Sequence, residues 1–146
     1  MSTEIEKIKS WLDKYYFDCD VEIGEDSCYD SIKECIIYSE NKEDHMEEYI
    51  NYCKKLGLKK EFNWKTIVIL HELGHHQTMD TLSDFEYFID SLFRPFTELP
   101  SYSNISRKIK ISIYYRLPLE KSATKWLVEF VNLNSEKVNE LNNIFQ

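Results

Sequence analysis

Apolar residues in the first eighteen positions recur every three or four residues. Ile5, Ile8, Leu12 and Tyr15 fall on one face and charges of both signs fill the other, which predicts an amphipathic helix. The period then shortens. Val21-Glu22-Ile23 and Cys35-Ile36-Ile37-Tyr38 read as strands, and Gly24 with the Asp/Ser cluster between them supplies turn chemistry. Helical spacing returns with Met46, Tyr49, Ile50, Cys53 and Leu56, and Gly57 stands where a left-handed residue ends a helix. Asn63 suits the N-cap of a central helix through "WKTIVILHELGHHQ", in which Ile67, Leu70, His71, Gly74, His75 and Thr78 share one stripe. Ser83-Asp84-Phe85-Glu86 has the form of a capping box opening another helix, which Arg94-Pro95 should end. Residues 97 to 107 read as loop. Ile109, Ile111, Ile113 and Tyr115 alternate with Lys110, Ser112 and Tyr114, which favours an extended segment, with helix as the alternative. Pro118 fits the first turn of a last long helix, with Glu120, Ala123, Leu127, Phe130 and Val131 along one face.

These elements predict one α+β domain over residues 1 to 146, mostly helical with a small antiparallel sheet. Three glycines and three prolines leave little room for linkers, and no repeat is visible. The formal net charge of −8 argues against direct binding of nucleic acid, which needs concentrated Lys and Arg. Arg107-Lys108-Ile109-Lys110 is the one basic cluster and reads as a solvated edge. No apolar leader precedes the first helix, and the aliphatic run Ile67-Val68-Ile69-Leu70 is too short to cross a bilayer, so a cytoplasmic location with no membrane partner is expected. Cys19, Cys28, Cys35 and Cys53 never approach C-x-x-C spacing and are expected to be free thiols.

The candidate chemistry lies in "ILHELGHHQT". His71 and His75 are four apart, so a helix places both imidazoles on one face, where they can grip one zinc ion with Glu72 beside it as a base. A catalytic zinc site takes a third protein ligand and keeps a position for water. No third histidine suits: His76 points about 100° away from His75 on the same helix, and His45 lies in the charged stretch "NKEDHMEEY". Among the acids, Glu120 stands out because it heads an apolar stripe three residues before the small Ala123. A buried carboxylate is costly without a cation, and Ala123 lets its helix approach the HELGH helix closely. His71, His75 and Glu120 are therefore the expected metal ligands, and Glu72 the catalytic residue.

"HELGH" followed by the E-x-x-A of "LPLEKSATKWLVEF" resembles the ImmA/IrrE family of zinc metallopeptidases, a gluzincin type whose third ligand is a glutamate. The likeness covers mainly residues 62 to 78 and 115 to 131. It implies a bacterial or phage protein with a zincin-like domain, its HExxH helix packed on a C-terminal helix. Carried over by position, His71, His75 and Glu120 hold zinc and Glu72 is the base. Tyr102, Tyr114, Tyr115 and His76 are all chemically able to stabilise the oxyanion, and an edge strand beside the site, for which "ECIIYSE" is the candidate, would bind substrate by strand addition. The 44 residues between His75 and Glu120 imply an inserted helix or loop. The implied activity is hydrolysis of one partner protein, such as a helix-turn-helix repressor of a mobile element or stress regulon. An alternative is a non-catalytic zinc-containing protein that binds and sequesters a regulator.

Overall fold

The structure, a computed structural model, describes residues 2 to 146. Helix α1 (Glu4–Lys14) leads into strands β1 (Asp20–Ile23), β2 (Cys28–Asp30) and β3 (Cys35–Tyr38). Helices α2 (Met46–Lys55), α3 (Trp64–Thr78), α4 (Asp84–Thr97), α5 (Asn104–Arg116), α6 (Pro118–Leu133) and α7 (Ser135–Asn143) follow. The mostly helical α+β class is the one expected.

The sheet differs from expectation in two ways. Its order is β1-β3-β2, with β3 parallel to β1 and antiparallel to β2, so it is mixed rather than antiparallel. The strand of "ECIIYSE" is thus the middle strand, not an edge. The physical reason lies in its side chains: Cys35, Ile36 and Tyr38 are buried, a pattern suited to a strand covered on both sides. The more polar β1 and β2 take the rims. β2 itself lies in the stretch read as a turn, too short to show a period of its own.

Helix ends follow local chemistry. Thr3 and Glu6 close a capping box on α1, and Ser83 and Glu86 do so on α4. Asn63 caps α3 by accepting from the Lys65 amide at 3.0 Å. After α2, Gly57 adopts φ 114°, the Leu58 amide donates to the Cys53 carbonyl at 3.0 Å and the Gly57 amide to that of Lys54 at 3.1 Å. That pair of bonds is a Schellman closure. Three expectations fail between α3 and α6, the first being the loop read over residues 97 to 107, whose last four residues form the first turn of α5. Helix α4 runs past Arg94-Pro95 to Thr97, carrying Pro95 in its last turn, where few later bonds are at stake. The segment from 109 to 115 is helical, not extended. Its inner face is Ile111, Tyr114 and Tyr115, spaced three and four apart, while Ile109 is exposed, so the alternation of isoleucines coincided with a helix. Its capping box pairs Ser103 with Ser106 rather than with an acid, which hides the helix start.

One apolar cluster fills the centre, built by Ile8, Trp11 and Leu12 of α1, Ile36 and Tyr38 of β3, the buried run of α3, Leu127 and Val131 of α6, and Val138 and Leu141 of α7. Helix α3 is buried nearly all round, from Thr66 to Leu70 and from Glu72 to His75, as expected of a helix sheathed by the sheet on one side and α6 on the other. Helix α4 differs: its one buried residue is Asp90, and Phe85, Phe88, Leu92 and Phe96 are exposed.

The contact that positions everything else is α3 against α6. A β-carbon at Gly74 would lie 2.6 Å from the Ala123 carbonyl oxygen and 3.0 Å from its Cα, so glycine permits the two backbones to touch. Replacing Gly74 with Ala gains about 1 kcal/mol of helix propensity. It also forces the backbones apart, an overpacking strain of about 1–3 kcal/mol that no side-chain rotation relieves. We expect Gly74→Ala to lower the urea midpoint, by roughly 1 kcal/mol of stability. A midpoint at or above that of the native chain would refute the contact.

Candidate metal centre

The register of α3 sets His71 and His75 on one face, with ring centroids 4.8 Å apart and planes perpendicular. The first turn of α6 lies opposite and presents Glu120, 3% exposed. Glu120 Oε1 is 3.1 Å from His75 Nε2 and 3.4 Å from His71 Nε2. The three ligand atoms all lie within 4.8 Å of one another, so this group could hold a metal ion. The distances test that fit. Ligands at zinc's usual 2.0–2.1 Å in a tetrahedron stand about 3.3 Å apart along each edge. The two imidazole-to-carboxylate separations bracket that value, while the wider spread of the set, up to 4.8 Å, is left to the two imidazoles, which must swing together to close on an ion.

Electrostatics point the same way. Burial alone would raise the Glu120 carboxyl, but hydrogen bonds to His71 and His75 outweigh it and hold the group well below its ordinary value of 4.5. Burial would likewise lower His75, yet the hydrogen bond and charge of Glu120 carry it above 6.5. In the metal-free protein, imidazole protons thus supply positive charge that a cation can replace. Glu72 is 8% exposed, and burial raises its carboxyl despite the opposing pull of His71 and His75. A carboxylate lifted toward neutrality is matched to taking and returning a proton.

Groups that the sequence reading did not assign to the site complete its surroundings. Tyr49 of α2 meets His71 Nδ1 at 2.5 Å and Thr124 Oγ1 at 2.8 Å. Arg94, read from sequence only as a helix end, donates from Nε to Asp90 Oδ1 at 2.7 Å and from Nη2 to Oδ2 at 3.1 Å. Its Nη2 also stands 3.6 Å from Glu120 Oε2. Asp90 Oδ2 accepts the Leu119 amide at 3.0 Å, which serves α6 as a borrowed cap because Leu117 at the N-cap has no side-chain acceptor. The i, i+4 spacing of Asp90 and Arg94 on an otherwise apolar helix was the available signal. Tyr49 and Thr124 offered none, since their pairing joins residues 75 apart.

Of the four oxyanion candidates, one reaches the site. Tyr114 donates to Glu120 Oε1 at 2.8 Å. Tyr102 is exposed, Tyr115 donates to the His45 carbonyl, and His76 bonds Tyr29 through Nδ1 at 2.7 Å. His45 sits beside Glu43, its Nε2 2.9 Å from Oε2, away from the triad. The cysteines are all free, with Cys28 exposed and the other three buried. No described helix is long and apolar enough to cross a membrane. No protein family, curated protein or solved structure matches the chain, so its function is inferred from the motif residues and their geometry alone.

Two measurements check the centre. A raised His75 stabilises the metal-free fold below about pH 6.5 and stops doing so as pH climbs through its folded value, whereas the depressed Glu120 does so above about pH 4.5. Metal binding must displace the imidazole proton and so gains with pH. The melting temperature gap between metal-loaded and chelator-stripped protein should therefore widen from pH 6 to pH 8; a constant gap would remove the histidines from the centre. Asp90→Ala leaves a half-buried guanidinium and an uncapped amide, so unfolding free energy should fall by roughly 2–3 kcal/mol after allowance for solvent screening at Arg94. Asp90→Asn, which keeps an acceptor, should lose less.

Proposed function

We propose that the chain is a zinc-dependent endopeptidase of the ImmA/IrrE kind, cleaving a partner protein such as a helix-turn-helix repressor at a specific bond. The observation that carries this reading is the convergence of two imidazoles and a buried carboxylate from separate helices, with the Glu72 carboxyl beside them. Two nitrogens and one oxygen suit zinc as a donor set, and three protein ligands are the number found in catalytic rather than structural sites.

A bound zinc ion would supply a Lewis acid and bring a water's pKa near 7. The protein's own groups do the rest. Glu72 takes the proton of the attacking water and delivers it to the leaving nitrogen. Tyr114, kept protonated by burial and by the Glu120 charge, donates its hydroxyl proton to the oxygen of the scissile carbonyl as negative charge builds there. Asp90 and Arg94 hold the start of α6, and so Glu120, in place.

The cleft suits an extended chain. Three cavities meet at Tyr114: one bordered by Arg107 and Lys110, one by Met46, His71 and Glu72, and one by Cys28, Tyr29, His75 and Arg94. Substrate backbone can thus run past Glu72 on both sides. β2, bonded to β3 on one side only, offers its other edge next to this cleft for strand addition, the role first expected of "ECIIYSE".

A second reading, sequestration of a regulator without cleavage, is favoured by the exposed Phe85, Phe88, Leu92 and Phe96 of α4. Mass spectrometry of fragments from a small helix-turn-helix repressor and from a mixed peptide library separates the two. Chelator-sensitive fragments are expected from the native chain. Glu72→Gln should keep its zinc and lose about a hundredfold or more of the rate. Tyr114→Phe should lower kcat by about 10²–10³ with little change in KM. A Glu72→Gln variant with zinc bound and full cleavage would overturn the assignment of the base, and tight binding without any fragment would favour sequestration.

A further inference from the structure

Tyr49 and Thr124 have no place in the reaction above, yet both are buried and both lie on the path between His71 and the backbone of Glu120. The chain of contacts runs from His71 Nδ1 to Tyr49 Oη at 2.5 Å, from Tyr49 Oη to Thr124 Oγ1 at 2.8 Å, and from Thr124 Oγ1 to the Glu120 carbonyl at 2.9 Å. We propose that this chain has one direction, which keeps a proton on His71 Nδ1 and leaves Nε2 as the ring's lone-pair donor for a cation.

The direction follows from counting protons, starting at the far end. A carbonyl oxygen can only accept, so the Thr124 hydroxyl spends its single proton on Glu120. Thr124 Oγ1 can then only accept from Tyr49, and the phenol spends its single proton there. Tyr49 Oη is left as an acceptor, so His71 Nδ1, 2.5 Å away, can only donate to it. Burial matters here, because Tyr49 is 5% exposed and Thr124 fully buried, so no bulk water can enter and reverse the order. Turning the chain round would take the Thr124 proton away from the Glu120 carbonyl. It would also put a proton on Nε2 facing Glu120 Oε1 at 3.4 Å, too long to replace the bond given up.

The consequence is preorganisation. A histidine ligand whose other nitrogen is held by a fixed partner keeps its ring orientation and tautomer, and loss of such a partner typically lowers metal affinity about 10- to 100-fold. The chain also ends on the backbone of Glu120, so it ties the first and third ligands of the triad together through groups that touch no metal. Tyr49 and Thr124 are thus positioning residues. Their role rests on the metal-binding reading of the triad.

The test reads the ring directly. Long-range ¹H–¹⁵N correlation spectra of the metal-free chain, recorded near pH 8, should show His71 Nδ1 with the shift of a protonated nitrogen and Nε2 with that of a bare one. The opposite pattern overturns the proposal. Zinc affinity, measured by competition with a chromophoric chelator, should fall about 10- to 100-fold in Tyr49→Phe, which removes the acceptor. It should fall in Thr124→Val and be restored in Thr124→Ser, which keeps the hydroxyl. Should Tyr49→Phe fail to fold, the Thr124 pair decides alone: equal affinities in Val and Ser variants with unchanged His71 shifts refute the chain. Failure of the native protein to take up zinc would instead refute the metal centre itself, a result separate from any difference among the variants.

Discussion

The backbone contact between Gly74 and Ala123 is the constraint on which the site depends. Two helices with ordinary side chains at their crossing stand 8–10 Å apart. Here the missing β-carbon on one and the single methyl on the other let α6 settle directly on α3. Gly74 lies between His71 and His75 in the chain, and Ala123 lies one turn after Glu120, so the same contact that closes the core sets the carboxylate across from both rings. Any wider spacing would take both imidazoles away from a buried carboxylate and leave it to Tyr114 and Arg94 alone.

That carboxylate then organises its neighbours by demand for hydrogen bonds. Its Oε1 takes contacts from two imidazoles and a phenol, and its Oε2 faces a guanidinium. Hydrogen bonds from His75 and Tyr114, with a guanidinium nearby, explain why the pocket can exist before any cation arrives. The arrangement is balanced rather than inert. A proton on His75 compensates the carboxylate at mildly acid pH, and a divalent ion can take over that task once that proton leaves.

The parts of this scheme legible in the sequence are those whose signals are local or periodic. His71, Glu72 and His75 follow from one helical turn. Glu120 follows from an acid at the head of an apolar stripe, since the cost of burying it demands a partner. Caps at Asn63 and Ser83 and the stop at Gly57 are short-range chemistry and mark helix ends well. What stayed hidden depends on pairing across the chain. Three residues suffice for β2 because β3 supplies all its bonds, and the parallel match of Val21 with Ile36 leaves no trace in either segment. α5 misled for another reason: Ile109, Ile111 and Ile113 alternate as a strand would, while the burial that selects helix comes from Tyr115, which packs on Tyr49 and Tyr52 of α2, and from Tyr114 beside it.

The segment between His75 and Glu120 brings two roles together. Helix α4 adds no apolar residue to the core and is joined to it instead by Asp90 and Arg94, which fasten the start of α6 and the carboxylate of Glu120. α5 adds Tyr114, whose hydroxyl reaches the same carboxylate. Ligand geometry therefore depends on the very helices that present Phe85, Phe88, Leu92 and Phe96 to the outside. A polar anchor is easier to shift than a packed core, because it rests on a few directional bonds rather than on many dispersion contacts. The outward-facing helix α4 and the start of α6 are therefore joined through the same two side chains, Asp90 and Arg94, that stand beside Glu120.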